Sequence, residues 1–169
     1  KHLQEQKPQL AIPVLREIAS LDPKNLNARA NLGVLLFFDG RYAEAIPHMR
    51  AAIELKPDLS RIQALLGMAE KRTGERAQAR TDLERAFAHL DDKKIRVEAG
   101  LELIELYSAA SEPDKALAIA IKLQELAPGN PQVLFVTYHI SRQLMDQTLM
   151  NVITVAPDSA KATARGNPT

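Results

Sequence analysis

The sequence predicts an all-α fold built from stacked antiparallel helix pairs. Three observations lead there. Apolar residues recur at helical spacing, at Leu32, Leu35 and Leu36, then at Ala45, Ile46, Met49, Ala52, Ile53 and Leu55. The pattern is broken at defined places: Asp39-Gly40 separates the two runs and Pro57 follows the second. The layout then returns. Moving along by about 34 residues, from 26–59 to 60–93, puts Leu66, Gly67, Gly74, Ala79, Leu83 and Ala86 where Leu32, Gly33, Gly40, Ala45, Met49 and Ala52 stood. An internal period of this size means that each helix pair buries its apolar face only by stacking on its neighbours.

The residues at fixed places in the repeat make the pattern specific. Leu32 and Gly33 are adjacent, Gly40 closes the first helix, Ala45 and Ala52 lie about two turns apart in the second helix, and Pro57 ends it. This arrangement is similar to the tetratricopeptide repeat. The resemblance implies a right-handed α-α superhelix of helix hairpins. It departs from that family at the usual aromatic position of the first helix, where Arg29 and Gln63 stand.

Taken in order, residues 1–25 read as a partial repeat, because Ala11, Leu15, Ile18, Leu21 and Pro23 match second-helix positions. Pro13 and Pro47 share one repeat position early in that helix, where a first turn tolerates a missing N–H. Residues 26–59 and 60–93 are full repeats. Asp91 stands where the second should end in proline, and Lys94 to Arg96 read as a short insertion. A further repeat covers 97–130, with Leu103, Tyr107, Ala116, Leu123 and Pro128 in register. Its turn has Ser111 in place of glycine, followed by Glu112-Pro113-Asp114. Residues 131–157 form a shortened, degenerate repeat. Between Gln132 and Ala156 there is no Gly or Pro, while Leu134, Tyr138, Met145, Leu149, Val152 and Ala156 keep helical spacing. One long helix or a very tight hairpin satisfies this, and the lack of a breaker favours the helix. Residues 158–169 read as a capping turn or tail, with Asp158 or Ser159 as cap. The whole is expected to be a single array over 1–169.

Composition narrows the function. A net charge of +1 gives no bulk attraction to nucleic acid or to an anionic membrane, so neither is expected as a partner. No apolar run approaches a membrane span, and a soluble chain is expected, with its compartment (cytoplasmic or exported) unmarked. The chain has no cysteine, which removes thiolate nucleophiles, disulfides and Cys-based metal sites. Aromatics are only 4%, with no Trp, so packing rests on Ala and Leu.

Catalysis has little to stand on. The histidines are His2, His48, His89 and His139, and no two sit three or four residues apart. There is no Gly-rich phosphate loop and no G-x-S-x-G elbow. No catalytic residue, metal or cofactor is expected.

Binding has more. The resemblance implies that first helices line a concave groove, which would be faced by Asn27, Asn31, Val34 and Phe37, by Arg61, Leu65, Met68, Lys71 and Arg72, and by Glu98, Glu102 and Glu105. A basic segment (Arg61, Lys71, Arg72) would then lie beside an acidic one, with apolar Val34, Phe37, Leu65 and Met68 free to take ligand side chains. Arg61 and Glu98 share one repeat position, so they would also meet as a surface pair worth under about 1 kcal/mol. Some members of the family clamp a peptide's C-terminal carboxylate; Asn31 and Arg61 match two places of that clamp, while Leu65 stands where a second basic residue belongs. The expectation is a non-catalytic scaffold that binds a peptide or partner protein. The alternatives are a regulatory or targeting arm of a larger multidomain enzyme, and a self-associating module acting through its end repeats.

Overall fold

The computed structural model describes residues 8–155. Among them the chain forms eight helices and no strand: α1 (Pro8–Leu21), α2 (Leu26–Phe38), α3 (Tyr42–Leu55), α4 (Ser60–Thr73), α5 (Arg76–His89), α6 (Lys93–Ala109), α7 (Pro113–Leu126) and α8 (Pro131–Val155). The expected caps at 158 and 159 lie outside the described residues. The described residues fall into two compact units, dividing between Leu106 and Tyr107 within α6.

In the first unit α2 packs on α3 and α4 on α5, with α1 against α2 and α3 against α4. Each turn has a local cause. Asn25 caps α2 by accepting from the Ala28 N–H at 3.0 Å. After α2 the chain reverses through Gly40 at φ 76°, and the Arg41 N–H reaches back to the Leu36 carbonyl at 2.9 Å. Gly74 does the same after α4 at φ 91°, with the Glu75 N–H on the Glu70 carbonyl. A side chain at either position would be strained.

The tight pairing explains the Leu-Gly signature. A Cβ on Gly33 would sit 2.6 Å from Met49 Cγ, and one on Gly67 would sit 2.7 Å from Leu83 Cγ and 3.0 Å from the Ala79 carbonyl oxygen. Ala45, Ala52, Ala79 and Ala86 are fully buried. The small residues thus let two helix backbones approach.

Polar residues replace the missing aromatic. Arg29 donates to the Ala19 and Pro23 carbonyls, each at 3.2 Å, and lies 3.0 Å from His48 Nδ1. It fastens the loop before α2 and the side of α3. Gln63, nearly buried, donates to Asp82 on α5 at 3.2 Å.

Two expectations shift. Pro47 lies in the second turn of α3, deeper than the first-turn site anticipated for it. Lys94 to Arg96, expected as a short insertion, lie within α6, which at 17 residues is longer than α2 and α4; Asp92 starts it by accepting from the Lys94 and Ile95 N–H groups at 2.9 and 3.1 Å.

In the second unit α7 packs on α8. Ser111 takes the glycine's role at φ 58°, and Pro113 opens α7. Asn130 caps α8 through the Gln132 and Val133 N–H groups. From there the chain continues as one helix to Val155, because no residue on the way interrupts it. Only Val133 and Ile140 of α8 are buried.

Candidate peptide-binding cleft

The first unit holds a cleft of about 440 Å³. Three stretches build it. Arg61, Leu65, Met68 and Arg72 come from one face of α4, as the i, i+4, i+7, i+11 spacing requires. Phe37 and Phe38 from the end of α2, with Tyr42 from the start of α3, close one end. Asp92 and the first turns of α6, with Lys94, Ile95, Glu98 and Glu102, form the other side.

Leu65, Met68 and Ile95 are buried and make an apolar floor. The aromatic end is a corner. Phe37 meets Phe38 edge-to-face at 5.3 Å between centroids with planes at 90°, and meets Tyr42 at 5.3 Å and 68°. Phe38 remains 66% exposed at the rim, so an incoming group finds an open ring surface there.

The charges are balanced and partly used. Lys71 pairs with both Glu102 and Glu105, and Arg72 reaches Glu102 at 3.2 Å, tying α4 to α6. The Lys71 and Glu102 side chains are only 15% and 16% exposed, so they act as a strut. Asp92 is occupied as a helix cap. Arg61, Lys94 and Glu98 line the cleft without an ion pair among the described residues. The basic and acidic segments, expected side by side, are joined through Lys71 and Arg72, while Arg61 and Glu98 form no ion pair with each other.

Of the residues singled out by sequence, the cleft gathers Phe37, Arg61, Leu65, Met68, Arg72, Glu98 and Glu102. Lys71 and Glu105 are not part of the lining and pair with each other in the strut. Asn27, Asn31 and Val34 lie on α2 outside the lining, and Asn31 and Arg61 do not converge in the cleft as a carboxylate clamp would need. Sequence reasoning missed Tyr42, Asp92, Lys94 and Ile95 as lining. Tyr42 begins a second helix, Asp92 lies at the irregular end of the 60–93 repeat, and Lys94 and Ile95 belong to the stretch read as an insertion. An aspartate followed by an apolar period was the available signal for the cap.

A second polar cluster lies away from the cleft. Glu70 of α4 is 1% exposed; its Oε1 accepts from Arg50 at 2.7 Å, and Arg50 also holds Glu75 at 2.7 Å. Burial pushes the Glu70 carboxyl up to about 7; Arg50 opposes this and nearby Asp82 adds to it. Among the described residues no group of three or more His, Asp or Glu is placed to hold a metal ion, and no helix is long and apolar enough to cross a membrane.

Residues 2–69 match the tetratricopeptide repeat family. Over those residues the chain carries the tetratricopeptide-repeat pattern. Solved structures with the TPR fold extend the likeness along the chain. MamA superposes with a TM-score of 0.72 at 21% identity, covering 94% of this chain and 86% of its own. YrrB, a TPR protein with an unusual peptide-binding site, superposes at 0.72 with 17% identity, covering 89% and 79%. At these identities the likeness is one of fold. A stretch of 82 residues, 48% of this chain, is 35% identical to a BBSome complex member BBS4 homolog of Drosophila melanogaster; the match spans 17% of that protein's length.

Proposed function

We propose that this chain is a non-catalytic interaction scaffold whose first-unit cleft holds a peptide segment of a partner protein. The observation that carries the reading is the aromatic corner of Phe37, Phe38 and Tyr42 opening onto an apolar floor in a chain otherwise poor in aromatics. A volume of about 440 Å³ suits one or two large side chains with their flanking backbone. The segment therefore carries a bulky apolar or aromatic anchor that seats on Phe37, Phe38, Leu65 and Met68. Flanking charges of both signs meet Arg61, Lys94 and Glu98. The anchor supplies most of the affinity, and the rim charges govern encounter and orientation. TPR proteins generally act as scaffolds, and YrrB's peptide-binding site supports the same use here.

The test is selection from a random peptide display library on the immobilised chain. Selected peptides should share a large apolar or aromatic residue and should fail to bind Leu65→Arg, a variant that fills the floor with charge. Circular dichroism confirms that the variant is folded. A selection without a common anchor, or peptides that bind the folded variant equally well, would defeat the reading.

A further inference from the structure

The second unit carries a surface that the cleft does not use. α8 packs on α7 through the side bearing Val133 and Ile140. At about 100° per residue, Leu134, Tyr138, Met145, Leu149 and Val152 fall on one stripe roughly 140° round from that side. All five are exposed, between 44% and 66%. Phe135 and Ile153 extend the stripe along one flank, at 64% and 44%. Arg142 and Asp146, the only acidic or basic residues of α8 besides His139, stand on the same flank. They touch each other loosely at 3.9 Å and are 61% and 65% exposed.

We propose that this face binds the α8 of a second copy of the chain, antiparallel, about a two-fold axis at the level of Leu144. One register satisfies every group on the face. It sets Arg142 level with Asp146 of the second copy, and Asp146 level with its Arg142. It also sets Phe135 level with Ile153 on the same flank. Tyr138 enters the gap between Leu149 and Val152 of the second copy, and Met145 meets its own equivalent. A two-fold interface must be complementary to itself, and a cation and an anion placed evenly about the centre meet that condition. Seven large side chains, each about half exposed, offer roughly 600–700 Å² per copy, just under the roughly 800 Å² a side of a standard specific interface. The dimer is accordingly weak and forms at micromolar or higher concentration.

Sedimentation velocity of the full chain over a concentration series tests this. The wild type should pass from monomer to dimer. Met145→Glu with Leu149→Glu should stay monomeric throughout, with unchanged helicity because neither side chain is buried. Arg142→Asp alone puts an acid opposite an acid twice in each dimer and should weaken association about ten-fold. Adding Asp146→Arg restores opposite charges and should restore the dimer. A wild type that remains monomeric overturns the proposal, as does association that survives the double glutamate variant. Failure of the charge swap to rescue overturns the antiparallel register. The cleft reading stands or falls separately, since Leu65→Arg should leave this association unchanged.

Discussion

Gly67 is the residue on which the closeness of a helix pair depends most. Two of the three atoms a methyl group would meet, the Ala79 oxygen at 3.0 Å and the Leu83 nitrogen at 3.1 Å, belong to backbone and cannot swing away. Gly67→Ala should therefore destabilise the first unit by about 1–3 kcal/mol, despite alanine's better helix propensity. Gly33→Ala should cost less, because the flexible Met49 side chain can absorb part of the contact. Denaturant midpoints of the two variants check the order. These glycines were legible in the sequence because they stand at a fixed repeat position. Glu70 was not: a glutamate within a helix reads as solvated, and its burial depends on Arg50, which comes from the preceding repeat. Its raised pKa has a calculable consequence. In the unfolded chain the carboxyl ionises near 4.5, in the folded chain near 7. Between these values the folded state binds more protons, so this group's contribution to stability falls as pH rises from about 4.5 to 7 and is level above. Glu70→Gln cannot ionise. Relative to that variant, the wild type should lose stability on going from about pH 5 to about pH 8, measured by urea unfolding at each pH. A parallel pair of profiles would contradict the assignment.

At the scale of elements, capping and breaking residues decided what was legible. Gly40, Gly74 and Pro113 mark their turns openly: the two glycines follow α2 and α4, and Pro113 opens α7. The start of α6 was obscured because Lys94, Ile95 and Arg96 fall outside the repeat period. Asp92→Ala removes the acceptor for two N–H groups and should cost about 1 kcal/mol. It should also loosen the side of the cleft formed by Lys94 and Ile95, because they lie in the turn that Asp92 holds. In α8 the absence of any breaker correctly favours one helix. The half beyond Ile140 buries no side chain, so its helicity depends on continuity with the packed half. A Gly-Asn pair inserted after Met145 should therefore reduce the circular dichroism signal at 222 nm, while the thermal midpoint of dilute protein shifts little. A tight hairpin at this place would instead accept the insertion with no loss of signal.

For the molecule as a whole, the proposed function rests on what the repeats bring together in the first unit. The family resemblance, carried onto the repeat positions, named seven of the cleft's residues. They could not show that Lys71 and Arg72 are drawn onto Glu102, since ion pairing between α4 and α6 depends on side-chain reach. The cleft consequently presents less free positive charge than the sequence suggests, and its aromatic corner carries more of the expected recognition. Phe38 and Arg61 are exposed, so replacing both should leave the fold intact. Arg50 is unsuitable as a distant control, because it holds the buried Glu70; Arg80 and Arg85 on α5 serve instead. The most direct measurement is the calorimetric Kd of a display-selected peptide for three proteins: wild type, Phe38→Ala/Arg61→Ala, and Arg80→Ala/Arg85→Ala. The cleft variant should bind at least about ten-fold more weakly, a loss of about 1.4 kcal/mol, while the α5 variant binds as the wild type does. Undiminished binding by the cleft variant, with loss in the α5 variant, would place recognition on another face and contradict the account.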